Sequence, residues 1–184
     1  PNIHIPLVGD IHFDYRLALL AMDNGIDKIR INPGNIGGEE NVKKVINKAK
    51  EKHVAIRIGV NSGSLDEETL KLNDDKVTAK GMVDLAEKYI KYFEKENFYN
   101  IVISLKASSV LTSIEAYKEA SKRFNYPLHL GITEAGGKDI GLIRSSAGLA
   151  PLLLEGIGDT IRISLSCEPK EEIIAAKRLL HDLG

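Results

Sequence analysis

Cysteine is almost absent from this chain: Cys167 stands alone among 184 residues. One thiol excludes an internal disulfide framework, and it cannot by itself assemble a cysteine-ligated cluster. No apolar run approaches the roughly 20 residues that a membrane-spanning helix needs. The first ten residues carry neither a basic start nor a long apolar stretch, so they do not read as a secretory signal. Charge of one sign is lacking too. The net charge is −1, with acidic and basic residues mixed along the chain. That pattern points away from nucleic-acid tails and membrane-surface patches. A cytoplasmic location is the expectation. An initiator Met is also missing, and the chain opens almost directly on an apolar run. The sequence therefore reads as a piece of something longer.

What is present is the composition of a folded domain, with 43% apolar and 28% charged residues. A single domain over residues 1–184 is expected, long enough for a full core. One unit recurs: a short apolar run, a polar loop, then an amphipathic helix. The runs are residues 5–9, 28–32, 54–60, 101–106, 128–133 and 160–165. They are rich in Ile, Leu and Val, as buried parallel strands are. Between them, Val42, Val45, Ile46 and Ala49 lie at helical spacing, as do Met82, Leu85, Ala86, Tyr89 and Phe93. Ile173, Ala176 and Leu180 form the stripe of a last helix that opens on Pro169. Asp14 and Thr78 suit N-caps, and Gly25 suits the position after a helix end. Residues 62–77 are polar and weakly patterned, which predicts a long loop or a short extra helix.

Alternating strands and helices mean an α/β fold with a parallel sheet. The strand ends choose between an open sheet and a barrel. Polar residues stand two apart, on one face, at nearly every strand end: Asp10/His12, Arg30/Asn32, Arg57/Gly59/Asn61, Ser104/Lys106, Gly131/Thr133 and Arg162/Ser164. An open sheet gathers such groups at one switch point. Contributions from all the strands predict a TIM (β/α)8 barrel mouth. Six βα units are legible, so the expectation is a partial barrel with the first two units absent.

Arg30, Arg57, Lys106 and Arg162 are cations at or near strand ends, opposed there by only Asp10 and Glu134. A local surplus of positive charge is costly inside a protein unless an anion joins it. Arginine forks meet phosphate oxygens in pairs, so a diphosphate is the predicted ligand. Each arginine would be equally satisfied by an acid elsewhere or by solvent; it is the repetition that favours a site. The loops at residues 32–35 and 134–137 contain glycine and precede helices, which suits an anion as well. His12 reads as a substrate contact rather than a metal ligand, since no convergent ligand set accompanies it. His129 lies deeper in its strand, and His4, His53 and His181 read as surface or helix-end residues. Cys167 reads as a buried small apolar residue. Lys106 carries a rival reading, a Schiff-base lyase of aldolase type. A barrel that binds phosphorylated ligands without chemistry is a third.

The segments PLVGDIHFDYR (residues 6–16), RINPGN (30–35), IRIGVNSGSL (56–65), LHLGITEAGG (128–137) and EGIGDTIRISL (155–165) closely resemble 4-hydroxy-3-methylbut-2-enyl diphosphate synthases, in order along essentially the whole chain. The resemblance implies the substrate barrel of an oxidoreductase of isoprenoid synthesis. Such enzymes reductively open 2-C-methyl-D-erythritol 2,4-cyclodiphosphate, with electrons from flavodoxin or ferredoxin. It implies that Arg30, Arg57, Lys106 and Arg162 hold the diphosphate, with hydrogen bonds from Asn32, Asn61, Thr133 and Ser164. Asp10 and His12 would lie against the carbon skeleton, and Glu134 would donate a proton. It also implies a homodimer and a [4Fe-4S] cluster held by three Cys and a Glu of a C-terminal domain that is absent here. This chain alone would then be inactive. A partial barrel should further leave unpaired strand edges that invite self-association.

Overall fold

The computed structural model describes residues 4–184. Six strands alternate with helices: β1 (Val8–Asp10), α1 (Tyr15–Asp23), β2 (Lys28–Ile31), α2 (Glu39–Lys52), β3 (Ala55–Asn61), α3 (Glu67–Lys71), α4 (Ala79–Lys95), β4 (Ile101–Lys106), α5 (Val110–Arg123), β5 (His129–Gly131), α6 (Lys138–Leu154), β6 (Thr160–Arg162) and α7 (Pro169–Asp182). No helix among the described residues is long and apolar enough to cross a membrane. Two compact units divide the chain. The first holds the described residues up to Gly59 together with Ala86–Val102, and the second holds Val60–Leu85 and Ile103–Gly184.

The first unit holds β1, β2 and most of β3, in a sheet of order β1-β2-β3-β4. Its first two pairings are parallel, with Asp10 opposite Arg30 and Arg30 opposite Arg57. Local sequence sets the helix ends. The Asp14 carboxylate accepts the Arg16 N–H at 2.9 Å and starts α1. The same helix closes with Ile26 N–H on the Ala21 carbonyl (3.1 Å) and Gly25 N–H on that of Met22 (3.3 Å). That closure needs a left-handed residue, and Gly25 supplies it at φ +79°. The stripe of α2, Val42, Val45, Ile46 and Ala49, is buried. It belongs to the same core as Ile29, Ile31, Ile56, Ile58 and Phe93. Phe98 meets Phe93 edge-on, with centroids 6.0 Å apart.

In the second unit β5 and β6 pair in parallel, with Gly131 opposite Arg162. Only one bridge, Ile103 to Leu128, links β4 to β5. Beyond it the Tyr117 hydroxyl of α5 stands in for a rung. It donates to the His129 carbonyl at 2.7 Å and accepts the Leu105 N–H at 3.1 Å. One turn earlier, Ser113 Oγ exchanges hydrogen bonds with the Ala107 carbonyl and N–H, both at 3.2 Å. Two side chains of one helix face thus replace ladder bonds that buried backbone groups require. The short helix α3 fills the weakly patterned stretch at residues 62–77. As expected, Thr78 Oγ1 caps the next helix, accepting the Gly81 N–H at 3.0 Å.

The ends of the chain differ from expectation. The last strands are shorter than the runs that announced them, at three residues each for β5 and β6. The stripe of α7 does not form a core: none of its residues is buried, and Ile173 is 57% exposed. β1 and β6 have a strand partner on one side only, which leaves Val8 and Leu7 exposed. Cys167 is exposed rather than buried. It sits in the loop before α7, a helix with no buried residue of its own.

Candidate functional site

Three charges stand in register across the first unit. Asp10 ends β1, Arg30 lies opposite it on β2, and Arg57 opposite that on β3. Arg30 Nη1 bonds Asp10 Oδ1 at 3.3 Å, and the Arg30 side chain is only 8% exposed. His12 Nε2 approaches the same carboxylate oxygen at 3.6 Å from an exposed position. Arg57 is half-buried. One acid and two guanidiniums thus share one register row, a cation-rich arrangement that favours anions. Asn32 is buried, and its side-chain oxygen accepts the Gly34 N–H at 3.2 Å, which shapes the loop after β2. Gly34 makes room for the Tyr89 hydroxyl, and Glu39 and Glu40 already place negative charge at the start of α2.

The second unit carries its own set. Asn61 ends β3, and its N–H and carbonyl both bond Ser64 Oγ, at 3.2 and 3.0 Å. Lys106 ends β4 half-buried, its Cε and Nζ lying 3.0 and 3.2 Å from where a Cβ on Gly131 would stand. The Thr133 N–H bonds the Ala107 carbonyl at 3.3 Å, tying the loop after β5 to the end of β4. Glu134 follows, exposed, with left-handed backbone at φ +52°. A non-glycine residue held there stores strain, a frequent property of functional loops. Arg162 is 49% exposed, with Glu172 4.0 Å from its Nε. Ser164 is half-buried just beyond β6. His129 is buried, and its Nδ1 lies 2.8 Å from Thr160 Oγ1 on the neighbouring strand, a structural clasp.

The structure therefore brings Asp10, Arg30 and Arg57 into one register row, with His12 just beyond β1. It brings Lys106, Thr133, Glu134 and Arg162 to the strand ends of the other unit. Sequence reasoning missed Ser113 and Tyr117. Their signal was available: hydroxyls four apart on the apolar face of α5, beside Ala116 and Ala120. Phe13 was missed as well. It is 73% exposed, with φ +61°, beside His12. No group of three His, Cys, Asp or Glu side chains converges among the described residues. The donor set does not fit a four-iron cluster either, since the chain offers a single exposed cysteine.

Sequential βα units with charged residues near the strand ends are the arrangement of parallel βα-barrel domains. The carboxyl transferase domain of Rhizobium etli pyruvate carboxylase shares the fold. It matches with a TM-score of 0.54 at 14% identity, over 81% of this chain and 24% of that one. A model of the family described as the GcpE TIM-barrel domain matches residues 1–177, and the chain belongs to that family. It is 57% identical over 183 residues to the 4-hydroxy-3-methylbut-2-en-1-yl diphosphate synthase (flavodoxin) of Listeria monocytogenes serotype 4b (strain CLIP80459), covering all of this chain and 50% of that protein. The synthase of the same name from Caldanaerobacter subterraneus subsp. tengcongensis is 55% identical, with 51% of its length covered. The chain thus spans about half the length of these curated relatives.

Proposed function

We propose that this chain supplies the substrate-binding barrel of an enzyme that reductively opens 2-C-methyl-D-erythritol 2,4-cyclodiphosphate to 4-hydroxy-3-methylbut-2-enyl diphosphate. The observation that carries the reading is the register row Asp10–Arg30–Arg57, with two guanidiniums on neighbouring strands, in a chain 57% identical to synthases of that name. In this reading Arg30 and Arg57, and in the other unit Lys106 and Arg162, are contacts for phosphate oxygens. Asn32, Asn61, Thr133 and Ser164 supply hydrogen bonds. Asp10 orients Arg30 and, with His12, meets the carbon skeleton. Glu134 carries a proton to the oxygen that leaves as water. A [4Fe-4S] cluster held outside these residues, fed by flavodoxin, the donor in the relatives' name, would supply the two electrons.

The test is calorimetric titration of the full gene product with the cyclic diphosphate at low and moderate salt. Affinity should fall with salt, as it does for partly exposed charge pairs, and Arg30→Ala should weaken it by ~10- to 100-fold. Unchanged affinity in Arg30→Ala at both salts would remove the anion role of this row.

A further inference from the structure

We infer that Gly59 and Gly131 are positioning residues, each clearing the floor on which a cation from the neighbouring part of the sheet lies flat. A Cβ built on Gly59 would stand 2.7 Å from Nη2 and 2.9 Å from Cζ of Arg30, and closer still to its Nε. A Cβ on Gly131 would stand 3.0 Å from Cε and 3.2 Å from Nζ of Lys106. The same device occurs once in each unit: a strand-end cation lying across a glycine.

Backbone conformation does not explain these glycines. Neither has a positive φ, so an L side chain suits both backbones. Gly9, also inside a strand, shows the contrast. A Cβ there would meet Ile11, Ile26 and Ile29 at 3.7–3.8 Å, ordinary contact. At Gly59 the three nearest atoms all belong to the Arg30 guanidinium. An added methyl would therefore leave the strand intact and push the fork out of its buried place, off Asp10. At Gly131 the carbonyl oxygen of Arg162 is also close, at 3.1 Å, so a methyl there would press on the β5–β6 pairing as well. Gly59 is the cleaner test.

This inference rests on the anion-binding reading for its consequence, but not for its geometry. The experiment therefore has two readouts on the full gene product. The first needs no ligand: hydrogen exchange at Arg30 Nε–H, followed by 15N NMR in wild type, Gly9→Ala and Gly59→Ala. The buried Nε–H should be protected in wild type and in Gly9→Ala, and should exchange at least ~10-fold faster in Gly59→Ala. Equal exchange in all three overturns the inference. The second is calorimetric titration with inorganic diphosphate. Gly59→Ala should bind about tenfold more weakly than wild type, while Gly9→Ala binds as wild type does. Arg30→Lys should weaken binding in the wild-type background and much less in Gly59→Ala, because an unbranched ammonium passes the new methyl where a planar fork does not. Fully additive losses would mean that Gly59 acts independently of Arg30, which also overturns the inference. If wild type itself does not bind diphosphate, the anion reading fails, and the exchange comparison alone decides the positioning role.

Discussion

Arg30 and Arg162 make the same contribution to the sequence pattern, a cation at a strand end, and the structure treats them differently. Arg30 belongs to β2, which has a strand on each side. It is 8% exposed and bonded to Asp10 at 3.3 Å. Arg162 belongs to β6, the end strand of its sheet. It is 49% exposed, with Glu172 at the 4.0 Å limit of an ion pair. A flanked strand removes water from its cation and fixes the rotamer through a partner and a glycine floor. An end strand leaves its cation half solvated, with its acid partner at the edge of contact. In the first case most of the ordering is done before a ligand arrives; in the second the ligand must do it.

The comparison breaks most easily at the cores beneath these charges. Ile29→Ala removes a fully buried side chain of β2 and should cost ~2–5 kcal/mol in urea unfolding. Ile173→Ala on the exposed face of α7 should stay within about 0.5 kcal/mol. Similar costs would mean that the end region is as well packed as the interior. Next comes Tyr117→Phe, which strands the buried Leu105 N–H and His129 carbonyl together. A loss of ~1–3 kcal/mol is expected, with faster amide exchange at Leu105; unchanged exchange would deny the hydroxyl its role as a rung.

Charge deletions sharpen the contrast itself. Asp10→Asn takes the carboxylate from a buried guanidinium and should destabilise by about 1–2 kcal/mol, discounted for the partial exposure of Asp10. Glu172→Gln should cost under ~0.5 kcal/mol, since the amide oxygen can still accept the Leu165 N–H. Equal costs at the two sites would end the distinction.

The smallest effect concerns pH. Partial burial of Asp84 raises its pKa, but hydrogen bonds from Lys80 and Arg123 outweigh this and hold it below the usual carboxylate value. A lowered folded-state pKa contributes stability above the unfolded value, near 3.8, and that contribution disappears as pH falls through the folded value. Asp84→Asn should therefore lower stability slightly at pH 7, by under ~1 kcal/mol for so exposed a cluster. It should make no difference near pH 2, which thermal melts at the two pH values would check.

Much of this was legible in the residues. Asp14, Thr78 and Gly25 announced their helix ends because capping is local chemistry, decided within four residues. The strand runs at 28–32, 54–60 and 101–106 matched closely because each is apolar enough to be strand wherever it packs. The runs at 128–133 and 160–165 over-predicted. Extension is maintained by a neighbour's hydrogen bonds, and there Tyr117 interrupts one ladder and the sheet ends at the other. The α7 stripe misled for a related reason: periodicity shows which face is apolar, not whether anything covers it. Cys167 was misread with it.

The sequence by itself determined the order of βα units, the helix caps and the placing of a charged or polar residue at each strand end, because period and capping are written within a few residues. Only the tertiary structure decided which cation is buried, that Asp10 rather than solvent partners Arg30, that Tyr117 replaces a rung, and that Gly59 and Gly131 lie beneath side chains. These are contacts between residues far apart in the chain, and their energies depend on burial and distance, which no local pattern records.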